Sequence, residues 1–167
     1  PLLDFDLIRA NPKLLTGFSD ITALHMAIAA KAGFPTIHGP NASSSWGKFS
    51  VDAFRAVAFD GATPTFSNPT AAEDRLVPRI GSIRTIGKGR AQGPLYGGNL
   101  TVLAALVGTP YLPSFDGAIL FLEDTNEAEY RIDRMLTQLS LAGILKRLSG
   151  VVFGQCTDCF ARDVSYG

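Results

Sequence analysis

Ser19 is the residue of this chain whose surroundings best suit nucleophilic chemistry. An apolar segment short enough for a buried strand ends at Gly17, and a helical pattern begins at Asp20. A strand, a sharp turn and a helix in this order expose a serine hydroxyl above a sheet, next to the positive end of the helix. These features predict an acyl-transfer enzyme with Ser19 as its nucleophile. A helix N-cap is the alternative, because serine favours that position and Ile21 replaces the second glycine of the G-x-S-x-G elbow pattern.

Such a serine needs a base and a carboxylate that orients the base, and the chain offers two histidines. His25 lies six residues after Ser19 on the same predicted helix, on a different side, and is expected to be a surface or partly buried side chain. His38 ends a second short strand at the same sheet edge as the serine turn, so it is either a base or a support for the following turn. Glu123 ends a strongly apolar strand and is either a site carboxylate or the start of a loop.

The two cysteines, Cys156 and Cys159, form a Cys-x-x-Cys pair. A structural zinc site needs four ligands, and the chain has no other cysteine to complete one. A redox motif needs a helix that starts at the first cysteine, and the residues after Cys159 have no helical periodicity. We therefore expect two loop thiols.

The composition excludes several classes of function. With 46% hydrophobic and 18% charged residues, the chain suits a packed core rather than disorder. Its formal net charge of zero provides no long-range field for nucleic acid or an anionic membrane. No apolar run approaches the roughly 18–20 residues that span a bilayer. Because the chain opens on Pro1 and ends on Gly167 just after a strand-like segment, we interpret it as the middle of a longer protein.

Strand and helix patterns alternate, which predicts an α/β fold with parallel sheets. Strands are expected at 13–18, 36–38, 94–99, 118–122 and 150–153, each of the first four followed by a helical pattern. Neither strand nor helix periodicity is found between 69 and 92, where basic residues are scattered among glycine, serine and proline. This segment predicts a connection between a partial N-terminal α/β domain at 1–68 and a partial C-terminal domain at 93–167.

Six blocks occur in a recognisable order along the chain. They are Gly17–Leu24, His38–Pro40, Gly97–Leu100, Gly108–Tyr111, Leu120–Asp124 and Tyr130–Leu136. Together they resemble the LD-carboxypeptidase family of serine peptidases, which also contains the microcin C immunity peptidases. The resemblance runs from about Leu3 to Cys159, and six ordered matches make coincidence improbable.

The resemblance implies roles for individual residues. Ser19 matches the family's nucleophile, Glu123 matches its triad acid, and the backbone N–H of Asp20 corresponds to a donor of the oxyanion hole. The family's catalytic histidine belongs to a later block that this chain does not contain, and neither His25 nor His38 matches it. The catalytic histidine is thus expected to be absent from the chain, which should be inactive alone.

The implied reaction is hydrolysis of the amide between an L-configured centre and the terminal D-amino acid of a muropeptide, as in cytoplasmic peptidoglycan recycling. It uses a small peptide substrate and no metal or organic cofactor. One alternative is a microcin-type immunity peptidase that cleaves an aminoacyl-nucleotide conjugate, for which Trp46 is the only tryptophan available for stacking. Another is a non-catalytic muropeptide-binding homologue. The sequence leaves the oligomeric state open, a homodimer included.

Overall fold

The computed structural model describes residues 2–67 and 83–159. Helices and strands alternate along both ranges, as the sequence predicted. The helices are α1 (Phe5–Ala10), α2 (Thr22–Lys31), α3 (Lys48–Ala58), α4 (Leu100–Ala105) and α5 (Glu129–Leu141). The strands are β1 (Thr16–Gly17), β2 (Ile37–His38), β3 (Leu95–Asn99), β4 (Ile119–Thr125) and β5 (Gly150–Thr157). Short 3-10 turns lie at Ser19–Ile21 and Leu145–Arg147.

The strands form two parallel sheets, which confirms the predicted α/β class. In the first sheet β1 pairs with β2, and Gly17 lies opposite His38. In the second sheet the strand order is β3-β4-β5, and Asn99 lies opposite Glu123. Parallel strands end at a common edge. The turn after β1 therefore lies beside His38, and the end of β3 lies beside Glu123.

The apolar core of the described residues lies between the second sheet and helices α4 and α5. Its fully buried large side chains are Leu100, Leu103, Phe115, Leu120, Leu122 and Leu139. Met26 of α2 is buried in the same cluster. Helix α2, which follows the serine turn, is thus packed against the sheet that carries Glu123.

Several boundaries differ from the sequence prediction. Strand β1 covers only two residues, and the helix expected from Asp20 begins at Thr22 after a 3-10 turn. Strand β4 continues through Glu123, because pairing with β3 and β5 satisfies its backbone beyond the apolar segment. The carboxylate therefore lies within a strand rather than in a loop.

The prediction of two loop thiols is wrong, because Cys156 and Cys159 form a disulfide. Strand β5 runs further than expected and brings Cys156 into the sheet, and the chain then turns so that the two Cα atoms lie 5.5 Å apart. That separation is within the range that a disulfide spans.

Much of the predicted connection at 69–92 lies outside the described residues, and residues 83–90 contain no helix or strand. Within the described ranges, none of the helices combines the length and the apolar character that crossing a membrane requires.

Candidate active site

Ser19 lies in a strained turn between β1 and α2. Its φ angle is +61°, in the left-handed region that a residue with a side chain seldom adopts. Such strain costs about 1–3 kcal/mol and is concentrated at functional sites. The side chain is exposed, as the elbow interpretation requires. The neighbouring glycine pattern is incomplete, but the backbone has the conformation of a nucleophile elbow.

The loop after β2 contacts this turn through Asn41. The side-chain oxygen of Asn41, in the loop after β2, accepts a hydrogen bond from the Phe18 N–H at 3.3 Å. Gly17 is buried, and a Cβ there would lie 2.8 Å from the same Asn41 oxygen, so a larger residue requires the Asn41 side chain to move. The loop after β2 therefore helps to fix the turn.

His25 supports the turn from within the protein. Its Nε2 lies 2.9 Å from the Gly17 carbonyl oxygen, and its Nδ1 lies 2.8 Å from the Thr36 hydroxyl. Because a carbonyl only accepts, Nε2 carries the proton and Nδ1 accepts from Thr36. His25 is 3% exposed, so the expectation of a surface or partly buried side chain is wrong. Both ring nitrogens are engaged in structure.

Glu123 projects from the face of β4 opposite the core. Side chains alternate along a strand, so Leu120, Leu122 and Asp124 are buried on one face while Phe121 and Glu123 share the other. Strand β5 has an irregularity opposite Glu123, where its register with β4 shifts by one residue. Such bulges occur next to active sites, where they re-aim a side chain.

The serine turn and the Glu123 edge are joined by a direct hydrogen bond. The backbone N–H of Asn99, which lies opposite Glu123 in the sheet, donates to the Thr22 hydroxyl at 3.0 Å. Thr22 is fully buried and opens α2, three residues after Ser19. This hydrogen bond thus links the segment that carries Ser19 to the strand that pairs beside Glu123.

Two glycines in β3 allow this close approach. A Cβ on Gly97 would lie 1.7 Å from the Phe121 carbonyl oxygen, and a Cβ on Gly98 would lie 2.4 Å from the Thr22 hydroxyl. Their φ values are +144° and +139°, which disfavour any other residue. The Gly-Gly-Asn sequence therefore lets the serine turn dock on the end of β3.

Asp124, next to Glu123, fixes the end of β3 and the start of α4. Its Oδ1 accepts from the Asn99 side-chain amide at 3.0 Å. Its Oδ2 accepts from the Thr101 N–H and hydroxyl at 3.0 and 2.8 Å. Asn99 also caps α4, because its side-chain oxygen accepts from the Val102 N–H at 3.0 Å. Asp124 is 4% exposed, so its charge is compensated by these donors.

His38 lies beside Glu123. Its Nε2 is 4.0 Å from Glu123 Oε1, and its ring packs edge-on against Phe121 with centroids 5.3 Å apart. A Cβ on Gly98 would lie 3.2 Å from His38 Nδ1. Among the described residues, neither His38 Nδ1 nor Glu123 Oε1 has a hydrogen-bond partner, although both atoms are buried.

Burial changes the proton affinity of both groups. It raises the pKa of Glu123, and the charge of Asp124 adds to this increase, whereas the hydrogen bond from Asn99 opposes it. Burial also lowers the pKa of His38 to about 4, with a smaller contribution from His25. His38 is therefore neutral at pH 7, and its contact with Glu123 is not an ion pair.

A cleft of about 570 Å³ lies between α2 and the strands β3 and β4. His38 and Phe121 are in its wall, whereas Ser19 and Glu123 are not among the residues that line it. The cleft therefore borders His38 without containing Ser19 or Glu123.

Two sequence models match this chain. The model of the LD-carboxypeptidase N-terminal domain matches residues 1–39, and that of the C-terminal domain matches residues 92–166. The chain belongs to the LD-carboxypeptidase family. The resemblance found in the sequence is confirmed, and the family is one of carboxypeptidases.

Relatives of the chain include a Bacillus subtilis protein named as a probable murein peptide carboxypeptidase. It is 37% identical over 161 residues, which cover 94% of this chain and 47% of the relative. The crystal structure of muramoyltetrapeptide carboxypeptidase from Oxalobacter formigenes matches with a TM-score of 0.72 at 31% identity, over 99% of this chain and 54% of that one.

A third relative is the microcin C7 self-immunity protein MccF of Escherichia coli, 29% identical over 93% of this chain and 51% of its own length. Its apo structure matches with a TM-score of 0.76 at 25% identity, over all of this chain and 56% of that one. The family fold is thereby established for this chain, which spans about half the length of the relatives it matches.

The sequence points to Ser19, Asp20, Glu123 and the two histidines, but not to Asn99 and Asp124. Part of their environment could have been predicted from the sequence. Asn99 follows a strand and precedes a helix, where asparagine is a preferred N-cap, and a charged residue next to Glu123 in a buried strand needs hydrogen-bond partners. Which donors satisfy Asp124 depends on contacts between distant segments, so the sequence did not predict the network.

Proposed function

We propose that the protein containing this chain is a serine LD-carboxypeptidase, which hydrolyses the amide between an L-configured centre and the terminal D-amino acid of a muropeptide. One observation carries the proposal. A serine in a strained strand-to-helix turn and a glutamate of raised pKa lie on segments joined by the hydrogen bond from Asn99 to Thr22. This arrangement suits two members of a catalytic triad.

In this mechanism the Ser19 hydroxyl attacks the scissile carbonyl and forms an acyl-enzyme. The backbone N–H of Asp20, immediately after the nucleophile, stabilises the oxyanion. A histidine accepts the serine proton and passes it to the leaving amine, and Glu123 holds that histidine in the required tautomer. Water then releases the acyl group by the same route.

Neither histidine of this chain suits the role of base. His25 uses both ring nitrogens for hydrogen bonds within the protein. His38 directs Nε2 to Glu123, and its other nitrogen is buried next to Gly98. Its pKa of about 4 also makes it a weak base near neutral pH. We propose that the base comes from the family's later histidine block, so this 167-residue chain alone is inactive.

We propose that the site lies between two domains, with Ser19 on a partial N-terminal domain at 1–68 and Glu123 on a partial C-terminal domain at 93–167. The connection at 69–92 joins them. Separate matches of the N-terminal and C-terminal family models to residues 1–39 and 92–166 support this division.

The activity is tested with an L-Ala-γ-D-Glu-diaminopimelate-D-Ala tetrapeptide and the complete protein that contains this chain. We expect release of D-alanine, measured by mass spectrometry, and no release by the isolated 167-residue chain. The matching tetrapeptide with a terminal L-alanine is the control. Cleavage of both peptides at equal rates would contradict the proposed L,D-specificity, and turnover by the isolated chain would make His38 the base.

The similarity to MccF favours a second candidate, a peptidase that cleaves an aminoacyl-nucleotide conjugate. One MccF structure contains aspartyl sulfamoyl adenosine. In this chain Trp46 packs edge-on against Phe54 with ring centroids 5.3 Å apart. The same assay with aspartyl sulfamoyl adenosine distinguishes the two functions, because a muropeptide peptidase releases D-alanine and leaves the conjugate intact.

A further inference from the structure

The His38–Glu123 contact has no role in the mechanism above, although it lies against the proposed triad acid. We propose that His38 is a positioning residue. In this role its neutral imidazole donates a hydrogen bond from Nε2 to Oε1 of Glu123 and fixes the carboxylate for the catalytic histidine. The inference rests on the proposed function, because it assigns a partner to the acid of that same site.

His38 Nε2 and Glu123 Oε1 lie close enough for one to become the hydrogen-bond partner of the other. His38 Nε2 and Glu123 Oε1 are 4.0 Å apart, about 1 Å beyond a hydrogen bond. Glu123 Oε1 is buried and has no other partner among the described residues. Catalytic hydrogen bonds are often long in the absence of substrate and shorten when it binds. The proposed hydrogen bond requires the two atoms to approach each other by about 1 Å.

The surroundings of the ring determine which nitrogen faces the carboxylate. Phe121 lies on the same face of β4 as Glu123, and its ring packs edge-on against the imidazole. Gly98 leaves room for Nδ1 on the other side. An unprotonated Nε2 and a carboxylate oxygen are both acceptors and would repel each other. The proton of His38 is therefore on Nε2. Replacing Gly98 with a larger residue would displace this ring.

The charges around the pair favour a neutral donor over a cation. The titratable neighbours of His38 are Glu123 on β4 and His25 on α2. The neighbours of Glu123 are Asp124 in the same strand and the uncharged Asn99 at the end of β3. Burial and His25 disfavour the charged form of His38. A neutral donor stabilises the Glu123 carboxylate without neutralising it, so the carboxylate still attracts the catalytic histidine as that residue becomes protonated.

The experiment compares His38→Phe and His38→Gln in the complete protein. Phenylalanine fills the site without a donor, and glutamine keeps one. We expect His38→Phe to lower kcat/KM about 10- to 100-fold, the equivalent of one hydrogen bond to a charged group. The loss should be mainly in kcat, and the acid limb of the pH profile should move to higher pH. His38→Gln should recover most of both. Tyr96→Phe, which removes a hydroxyl from the same cleft wall, is the control.

Two NMR measurements decide the inference independently of turnover. We expect the carbon-13 titration of Glu123 to move to higher pH in His38→Phe, because a hydrogen bond to the charged form has been lost. In the parent, nitrogen-15 shifts should place the His38 proton on Nε2 at pH 7. An unchanged Glu123 titration, or a proton on Nδ1, would overturn the inference. Absence of peptidase activity in the parent would overturn the proposed function alone, because both NMR measurements would still apply.

Discussion

At the scale of single residues, the two neighbouring carboxylates of β4 have opposite surroundings. Asp124 faces the core and accepts hydrogen bonds from Asn99 and Thr101. Glu123 faces the other side, and one of its oxygens is buried without a partner in the described part of the chain. The packing around β4 thus satisfies both oxygens of Asp124 and leaves one acceptor of Glu123 without a donor among the described residues.

Replacing Glu123 with glutamine tests its assignment as the acid of the triad. We expect Glu123→Gln to lower kcat by roughly 10²- to 10⁴-fold, because an amide does not stabilise the histidine cation formed during attack. D-alanine release measures the loss. Glu129→Gln, at the exposed start of α5, is the control. A Glu123→Gln enzyme with parental kcat would exclude the glutamate from the mechanism.

The same variant tests the raised pKa of Glu123 through stability. A carboxyl whose pKa is higher in the folded state stabilises the protein below its unfolded pKa, and this contribution is lost as the pH rises through the folded value. At pH 7, above the unfolded pKa, the raised pKa of Glu123 therefore lowers the stability of the fold. Urea unfolding at pH 7 should find Glu123→Gln at least as stable as the parent. A clearly less stable variant would contradict the direction of the shift.

Residue types and order were enough to predict the serine turn, because a strand-turn-helix pattern is a local signal. The acidic end of the strand left Glu123 as either a site carboxylate or the start of a loop, and only the family resemblance implied its role. The partners of these residues were not predictable in the same way. The burial of His25, the approach of His38 to Glu123 and the hydrogen bond from Asn99 to Thr22, 77 residues apart, are set by tertiary packing.

At the scale of elements, the end of β3 is where the second sheet contacts the start of α2. Gly97 and Gly98 have positive φ values, and they leave room for the Phe121 backbone and for Thr22. Helix α4 begins directly after them, capped by Asn99. Strand β3 thus supplies both a pairing surface for β4 and a docking surface for α2.

A side chain at Gly97 should disrupt this junction. We expect Gly97→Ala to lower the free energy of unfolding by about 3 kcal/mol or more, because its Cβ would lie 1.7 Å from the Phe121 carbonyl oxygen and its φ of +144° is unfavourable. Chemical denaturation measures the change. Gly87→Ala is the matched control, because nothing lies within 4 Å of its Cβ. Equal stability of the two variants would contradict the close packing of β3.

The existence and order of the elements followed from hydrophobic periodicity, whereas their ends did not. Strand β1 is shorter than its apolar segment because β2 offers only two residues for pairing. Strands β4 and β5 are longer than their apolar segments because they pair with each other as far as Thr125 and Thr157. That extension also explains why the disulfide of Cys156 and Cys159 was not predicted.

At the scale of the whole molecule, helix α2 connects the two sheets. Met26 lies in the core of the second sheet, and Thr22 accepts the hydrogen bond from Asn99 at the sheet edge. The alternation of strands and helices predicted both layers and their parallel strands. It did not predict how the layers pack, because that depends on a few contacts between segments far apart in sequence.

We propose above all that Ser19 is the nucleophile of an LD-carboxypeptidase whose site is shared by the two sheets. The most direct test is D-alanine release from the tetrapeptide by the complete protein and by its Ser19→Ala variant, with circular dichroism to verify folding. We predict a loss of kcat of at least about 10³-fold with an unchanged fold. A folded Ser19→Ala variant that releases D-alanine at the parental rate would contradict the claim.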